Sequence, residues 1–240
     1  MVDAHIEPAG WAYRRVRDLI SGRRSRQTRY GFTLAGDPRM TKDGWEAEEI
    51  KLFLEMLPGH SAVIDIGANI GFYSCLAGSR GKPTIAIEPS PRNIRYLLRN
   101  LLENGVKGVE LCPLGLAESA GRRTLYGYGG AASLVEGWAQ SKRGESVLTT
   151  TLDEVLAGKF EGERLLIKID VEGYELAVVR GAARTLSRDP RPTWLVEVLQ
   201  HDPLIPSGHN DQFQATLELF RSAGYRQRRV DEKNFLFSGG

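Results

Sequence analysis

Two cysteines in 240 residues, Cys75 and Cys112, are too few for a disulfide framework and have no metal-ligand spacing. Both sit in apolar stretches and read as reduced, buried thiols. Long hydrophobic runs are also missing, since none approaches the roughly 20 residues that a membrane-spanning helix needs. The first stretch, MVDAHIEPAGWAYRRVRDL, lacks the apolar core of a signal peptide, so the expectation is a soluble, cytoplasmic chain. Charge of one sign is scarce too. Against 32 Lys and Arg stand 30 Asp and Glu, and a net charge of +2 argues for neither a nucleic acid nor a membrane as partner. Arginines crowd only locally, at Arg14, Arg15, Arg17, Arg23, Arg24, Arg26 and Arg29. There is no internal repeat and no low-complexity linker. At this length, 41% hydrophobic residues suffice for one domain with one well-buried core.

What is present from residue 61 onward is an alternation of short apolar runs with helical patterns. SAVIDIG (61–67) predicts a strand and FYSCLAGS opens a helix. PTIAIEPS (83–90) predicts a second strand, and PRNIRYLLRNLLENG then spaces Ile94, Leu97, Leu98, Leu101 and Leu102 helically up to Gly105. VELCPLGL (109–116) predicts a third strand. The pattern loosens through GRRTLYGYGGAASLVEG, which suits a hairpin or an excursion over the core. TLDEVLAG (151–158) reads as a short Thr-capped helix. Strands at 164–170 and 193–198 then alternate with helices at 175–186 and 213–225, and RQRRVDEK with NFLFSG suits a terminal hairpin. Such alternation implies right-handed βαβ units, hence an α/β fold with a doubly wound, mostly parallel sheet. Residues 1–60 are richer in Arg and Gly, with helices expected at 11–21 and 45–57. The expected organisation is an N-terminal arm or helical cap over 1–44 and one main domain over 45–240.

Ligands of a doubly wound sheet sit outside the carboxyl ends of its strands. Four predicted strands carry an acid at or near that end: Asp65, Glu88, Asp170 and Glu197. Each follows apolar residues and would be costly to keep charged without a partner. A single such acid is explained as a helix cap; four converging on one crevice point to function. The loop after the first strand reads D-x-G-x-N-x-G, from Asp65 through Gly67 and Asn69 to Gly71. It lacks the G-x-G-x-x-G spacing of a pyrophosphate loop, and Asp65 would repel a pyrophosphate. It suits a cationic, phosphate-free ligand, of which S-adenosylmethionine is an example. Glu88 then fits as the acceptor of hydrogen bonds from two ribose hydroxyls.

The ordered series DIGANIGFYS, IAIEPSPRNIRYLLRNLLENG, GLAESAG, ASL, TTTLDEV and IKIDVEGYELAVVRGA resembles the FkbM family of S-adenosylmethionine-dependent methyltransferases over roughly residues 45–200. The resemblance implies the class I methyltransferase fold, with a seven-stranded sheet, and methylation of hydroxyls on sugars, polysaccharides and macrolide-type natural products. It implies that Asp65, Gly67, Asn69 and Gly71 line the methionine part of the cofactor. Glu88 would hold the ribose, flanked by Pro89 and Ser90, and Glu118, where Asp is usual, would lie near the adenine. Trp45 and Glu46 stand where an aromatic–acid pair reaches toward the cofactor.

Methyl transfer from a sulfonium is an in-line displacement, and a sugar hydroxyl needs a base or a metal to take or weaken its proton. Asp170 is the residue expected to face the acceptor or to orient cofactor and substrate. Glu172, Glu197 and His201 are the further candidates for the base. Clustered carboxylates also suit a divalent cation such as Mg2+, with Asp170 and Glu197 as its ligands. The bland readings are a helix cap for Glu172, a surface loop position for His201, and an ion pair with one of the acids for Lys168. Tyr126, Tyr128 and Trp138 are candidates for stacking on a sugar ring, or for core packing. The expected partner is a small-molecule or oligosaccharide acceptor, with no nucleic acid and no membrane, and a homodimer is allowed. Against this stand three rivals: an RNA methyltransferase using the arginine-rich segment, a non-catalytic cofactor-binding scaffold, and a dehydrogenase.

Overall fold

The computed structural model describes residues 24–141 and 144–239. The helix expected at 11–21 and four of the clustered arginines, Arg14, Arg15, Arg17 and Arg23, lie outside them. A two-residue ladder joins β1 (Arg26–Gln27) to β2 (Thr33–Leu34), and α1 (Ala47–Met56) follows. The main sheet then begins with β3 (Ala62–Ile66), α2 (Phe72–Gly78), β4 (Thr84–Ile87), α3 (Pro91–Glu103) and β5 (Val109–Cys112). An excursion of β6 (Gly115–Leu116), β7 (Gly121–Tyr126) and β8 (Gly144–Thr150) leads to α4 (Leu152–Val155). The chain closes with β9 (Leu165–Ile169), α5 (Glu175–Arg180), α6 (Ala183–Leu186), β10 (Thr193–Glu197), α7 (Phe213–Ser222), β11 (Tyr225–Arg229) and β12 (Asn234–Gly239).

The seven-stranded sheet runs β11-β12-β10-β9-β3-β4-β5, and the strands from β10 to β5 are parallel. The terminal hairpin supplies the antiparallel β12 and β11. Strand order reverses between β3 and β9, which opens a crevice at their carboxyl ends. The central strands read as continuous apolar runs because both faces are covered. Ile64, Ile66, Ile167 and Ile169 enter one core cluster, and Val63 and Leu166 the other. Asp65 and Lys168 share that second face and are direct cross-strand partners in the β3–β9 register.

Two predicted elements divide. The strand expected over 109–116 breaks at Pro113, which has no N–H for a ladder. Val109–Cys112 stays in the main sheet, while Gly115–Leu116 pairs with β8 in a separate three-stranded sheet. The helix expected over 175–186 breaks at Gly181 and Ala182 into α5 and α6. Gly181 lies so close to the Ala117 carbonyl that a Cβ there would sit 2.2 Å from its oxygen. The predicted Thr cap of α4 is present, with Thr151 Oγ1 accepting from Glu154 N.

Residues 24–36 do not form a core of their own. Phe32 and Leu34 pack with Ile50, Phe53 and Ile70 of the main domain. Among the described residues no helix is long and apolar enough to cross a membrane.

Candidate functional site

A partly open cleft lies at the switch point, lined by Gly67, Asn69, Glu88, Pro89, Asn93, Leu114, Leu116, Asp170, Glu172 and the turn 129–134. Its floor is the loop after β3. Gly67 has φ +79, and a Cβ there would sit 1.8 Å from the Asp170 carbonyl oxygen, so only glycine fits between the two strand ends. Asn69 is left-handed at φ 52, which turns its N–H onto Glu88 Oε2 at 2.8 Å. Ser90 N and Asn93 Nδ2 donate to Glu88 Oε1 at 2.9 and 3.2 Å. Burial nonetheless pushes the Glu88 carboxyl up to about 7. Ligand hydroxyls donating to it would favour the carboxylate.

Beside this half lies a second group. Oxygens of Glu46, Asp170 and Glu197 lie within 4.8 Å of one another. Each is positioned by a different element: Glu46 by a left-handed turn at φ 44 before α1, Asp170 by the end of β9, Glu197 by the last residue of β10. The Tyr73 hydroxyl donates to Glu46 Oε2 at 2.9 Å. Lys168 Nζ, 2% exposed, lies 3.1 Å from Asp170 Oδ2 and 3.4 Å from Glu49 Oε1. Lys233 Nζ pairs with Glu197. Burial, then the Glu49 charge, pushes Glu46 up to about 8. Burial, then the Asp170 charge, takes Glu197 to about 8. Burial opposes the charge of Lys168, but Asp170, Glu49, Glu46 and Asp65 outweigh it and hold this ammonium well above its usual value.

Several predicted residues meet here and others do not. Gly67, Asn69, Glu88, Pro89, Asp170 and Glu172 line the cleft. Asp65, 1% exposed, lies beneath it and accepts from Ser74 Oγ at 2.6 Å, while burial raises its carboxyl. Gly71, at φ +87, faces the Leu97 side chain, where a Cβ would sit at 2.9 Å; it serves the α2–α3 contact. Ser90 is buried and acts through its N–H. Glu118 is exposed, 3.7 Å from Arg180 and off the cleft lining. Trp45 packs edge-on against Phe72.

Glu172 does not cap α5. The N-cap of α5 is Tyr174, without a side-chain cap bond, and Glu175, the first helical residue, reaches back so that its Oε1 accepts from Gly173 N at 2.8 Å. Glu172 is left-handed at φ 56, and burial with the Asp170 and Glu197 charges holds its carboxyl well above the usual range. His201 is exposed, with its Nδ1 3.3 Å from that of His209 and outside the carboxylate group. Trp138 resolves to its core-packing reading: it is fully buried, and its Nε1 donates to Ala131 O at 2.9 Å. Tyr128 is half-buried under the Arg92 guanidinium. Lys168 pairs with Asp170, the ion pair expected as its bland reading. Sequence reasoning missed Lys233, Glu49, Asn93 and Tyr73. A hairpin lysine and a helical glutamate carry no local signal of a distant partner.

Sheet order, switch-point crevice and acid-tipped strands define a Rossmann-like methyltransferase fold. Precorrin-6y C5,15-methyltransferase from Geobacter metallireducens shares that fold, with a TM-score of 0.50 at 12% identity over 89% of this chain and 100% of its own. The model of the methyltransferase FkbM domain matches residues 65–227, and the chain belongs to that family. Methyltransferase sdnD of Sordaria araneosa is 30% identical over 197 residues, covering 68% of this chain and 73% of that protein. Hexuronic acid methyltransferase AglP of Haloferax volcanii is 27% identical over 143 residues, 59% of this chain and 58% of its own length.

Proposed function

We propose that the chain is an S-adenosylmethionine-dependent O-methyltransferase whose acceptor is a hydroxyl of a sugar, an oligosaccharide or a glycosylated natural product. The observation that carries this reading is Glu88 bonded to the Asn69 N–H in a cleft that also takes in Asp170, whose carboxylate is grouped with those of Glu46 and Glu197. The first half suits an adenosine ribose and a cationic amino-acid end. The second suits removal of a proton. The AglP name, hexuronic acid methyltransferase, supports a sugar acceptor.

When bound, the cofactor supplies an electrophilic methyl group on a sulfonium. The chain's own task is to align the acceptor oxygen and to take its proton. Glu197 is the base in this reading, because a carboxyl pushed up to about 8, with Lys233 beside it favouring the ionised form, titrates close enough to neutral pH to be present in part as carboxylate and to take a proton. Asp170, fixed by Lys168, orients acceptor and cofactor. Glu172, whose carboxyl is held well above the usual range by burial and by the Asp170 and Glu197 charges, lines the cleft beside Asp170. The donor set does not fit a divalent cation, because Lys168 and Lys233 already pair with Asp170 and Glu197, and Tyr73 donates to Glu46. EDTA should leave turnover unchanged; loss of activity restored by Mg2+ would reverse this reading.

The acceptor is found by a methyl-transfer screen over glycans and glycosylated natural products, with mass spectrometry locating the new methyl. On the acceptor so found, Glu197→Gln should lower kcat by about a hundredfold or more while S-adenosylhomocysteine still binds. A methyl found on nitrogen or carbon, or full activity in that variant, would overturn the assignment.

A further inference from the structure

The cofactor loop does not hold its shape by itself. Its Ile70 carbonyl points into the protein and accepts from Asn100 Nδ2 at 2.7 Å. Asn100 lies on α3, is 0% exposed, and uses every remaining group on residue 35: Ala35 N donates to its Oδ1 at 2.8 Å, and its Nδ2 donates to Ala35 O at 3.0 Å. One buried amide therefore ties the segment 24–36 to the loop. The two are also in direct contact, since a Cβ on Gly36 (φ +115) would sit 3.0 Å from the Ile70 side chain. Asn69, next to Ile70, is the left-handed residue whose N–H reaches Glu88. A neighbouring asparagine makes a useful contrast. Asn104, one helical turn on, accepts from Thr33 N and donates to Thr33 O, and makes no bond to the loop.

We infer that Asn100 is a positioning residue for the cofactor. It holds the Ile70 carbonyl, and through it the left-handed Asn69, so that the Asn69 N–H and the Glu88 carboxylate present one preformed edge to the ligand. The segment 24–36 is thereby part of the cofactor-binding apparatus. A residue held in the left-handed region persists only where its surroundings impose it. A buried amide with all its hydrogen-bonding groups used is well suited to imposing it. The inference rests on the cofactor reading proposed above.

The test is calorimetric titration of the full chain with S-adenosylhomocysteine, beside thermal melting of each variant. Asn100→Asp keeps the size but loses both amide hydrogens and sets an oxygen against the Ile70 and Ala35 carbonyls. It should bind about tenfold or more weakly, with the KM for the methyl donor raised and kcat at saturation little changed. Asn104→Ala should lower the melting temperature and leave the affinity as in the wild type. Should Asn100→Asp fail to fold, Gly36→Ala, which presses on Ile70 from the segment 24–36, should weaken the affinity in the same sense. Equal affinity in a folded Asn100→Asp or Gly36→Ala variant, or equal loss in Asn104→Ala, would overturn the inference and leave these asparagines a structural role. If the wild type itself does not bind S-adenosylhomocysteine, it is the cofactor reading that fails.

Discussion

Glu88 shows how one side chain can report on the site through acidity. Unfolded, it titrates near 4.5; folded, burial takes it to about 7. Between those values the folded state holds a proton that the unfolded state has lost, so the Glu88 contribution to stability falls as pH rises from about 4.5 to about 7 and is level above. Glu88→Gln carries no such proton. Without ligand, its melting temperature should therefore gain on that of the wild type as pH is raised across this window, and hold steady above it. Affinity for S-adenosylhomocysteine should strengthen in the wild type over the same window, because ribose hydroxyls need the carboxylate to accept from them. A constant difference in melting temperature at every pH would show that Glu88 titrates normally. Asp65, Glu88, Asp170 and Glu197 were legible one by one, because each acid ends an apolar run. The ammonium partner of Glu197, Lys233, was not, because it comes from a hairpin 36 residues further along the chain.

At the scale of elements, the strands were the most legible part, since burial on both faces writes itself as continuous Ile, Leu and Val. The breaks at Pro113 and Gly181 were harder. The second depends on the Ala117 carbonyl, more than sixty positions earlier, and periodicity within a helix cannot report that neighbour. The excursion between β6 and β8 was legible as an excursion but not in its packing. Trp138 holds it together, bonded to Ala131 O and lying against Gly173, where a Cβ would come 3.2 Å from its ring. Trp138→Ala should therefore cost about 3–5 kcal/mol in urea unfolding, as for a core aromatic, and Trp138→Phe should recover part of it. Unaltered stability with a raised KM for the acceptor would return Trp138 to the substrate side. Of the six left-handed non-glycine residues among the described residues, three, Glu46, Asn69 and Glu172, border the site. Such strain is held where surrounding structure imposes it, and no residue type announces it in a sequence.

The whole molecule joins two chemistries at one switch point. On the β3–β4 side, a glycine–asparagine loop and Glu88 form a neutral-to-anionic cradle without the spacing for a pyrophosphate. On the β9–β10 side, carboxylates from three elements gather around two lysines, and burial pushes Glu46 and Glu197 up to about 8, which suits proton transfer near neutral pH. Membership of the FkbM family sets methyl transfer as the chemistry, and the acid-lined half is where the acceptor is to be sought. The fold was legible because it follows from strand–helix alternation, whereas acceptor choice depends on side chains that only the folded chain brings together. The central claim is that this crevice takes S-adenosylmethionine. Titration calorimetry of the wild-type chain at neutral pH, with S-adenosylhomocysteine and NAD in parallel, tests it most directly. Saturable binding of S-adenosylhomocysteine, weakened in Glu88→Gln, with no binding of NAD is the predicted result. Binding of NAD in its place, or no binding of S-adenosylhomocysteine at all, would contradict it.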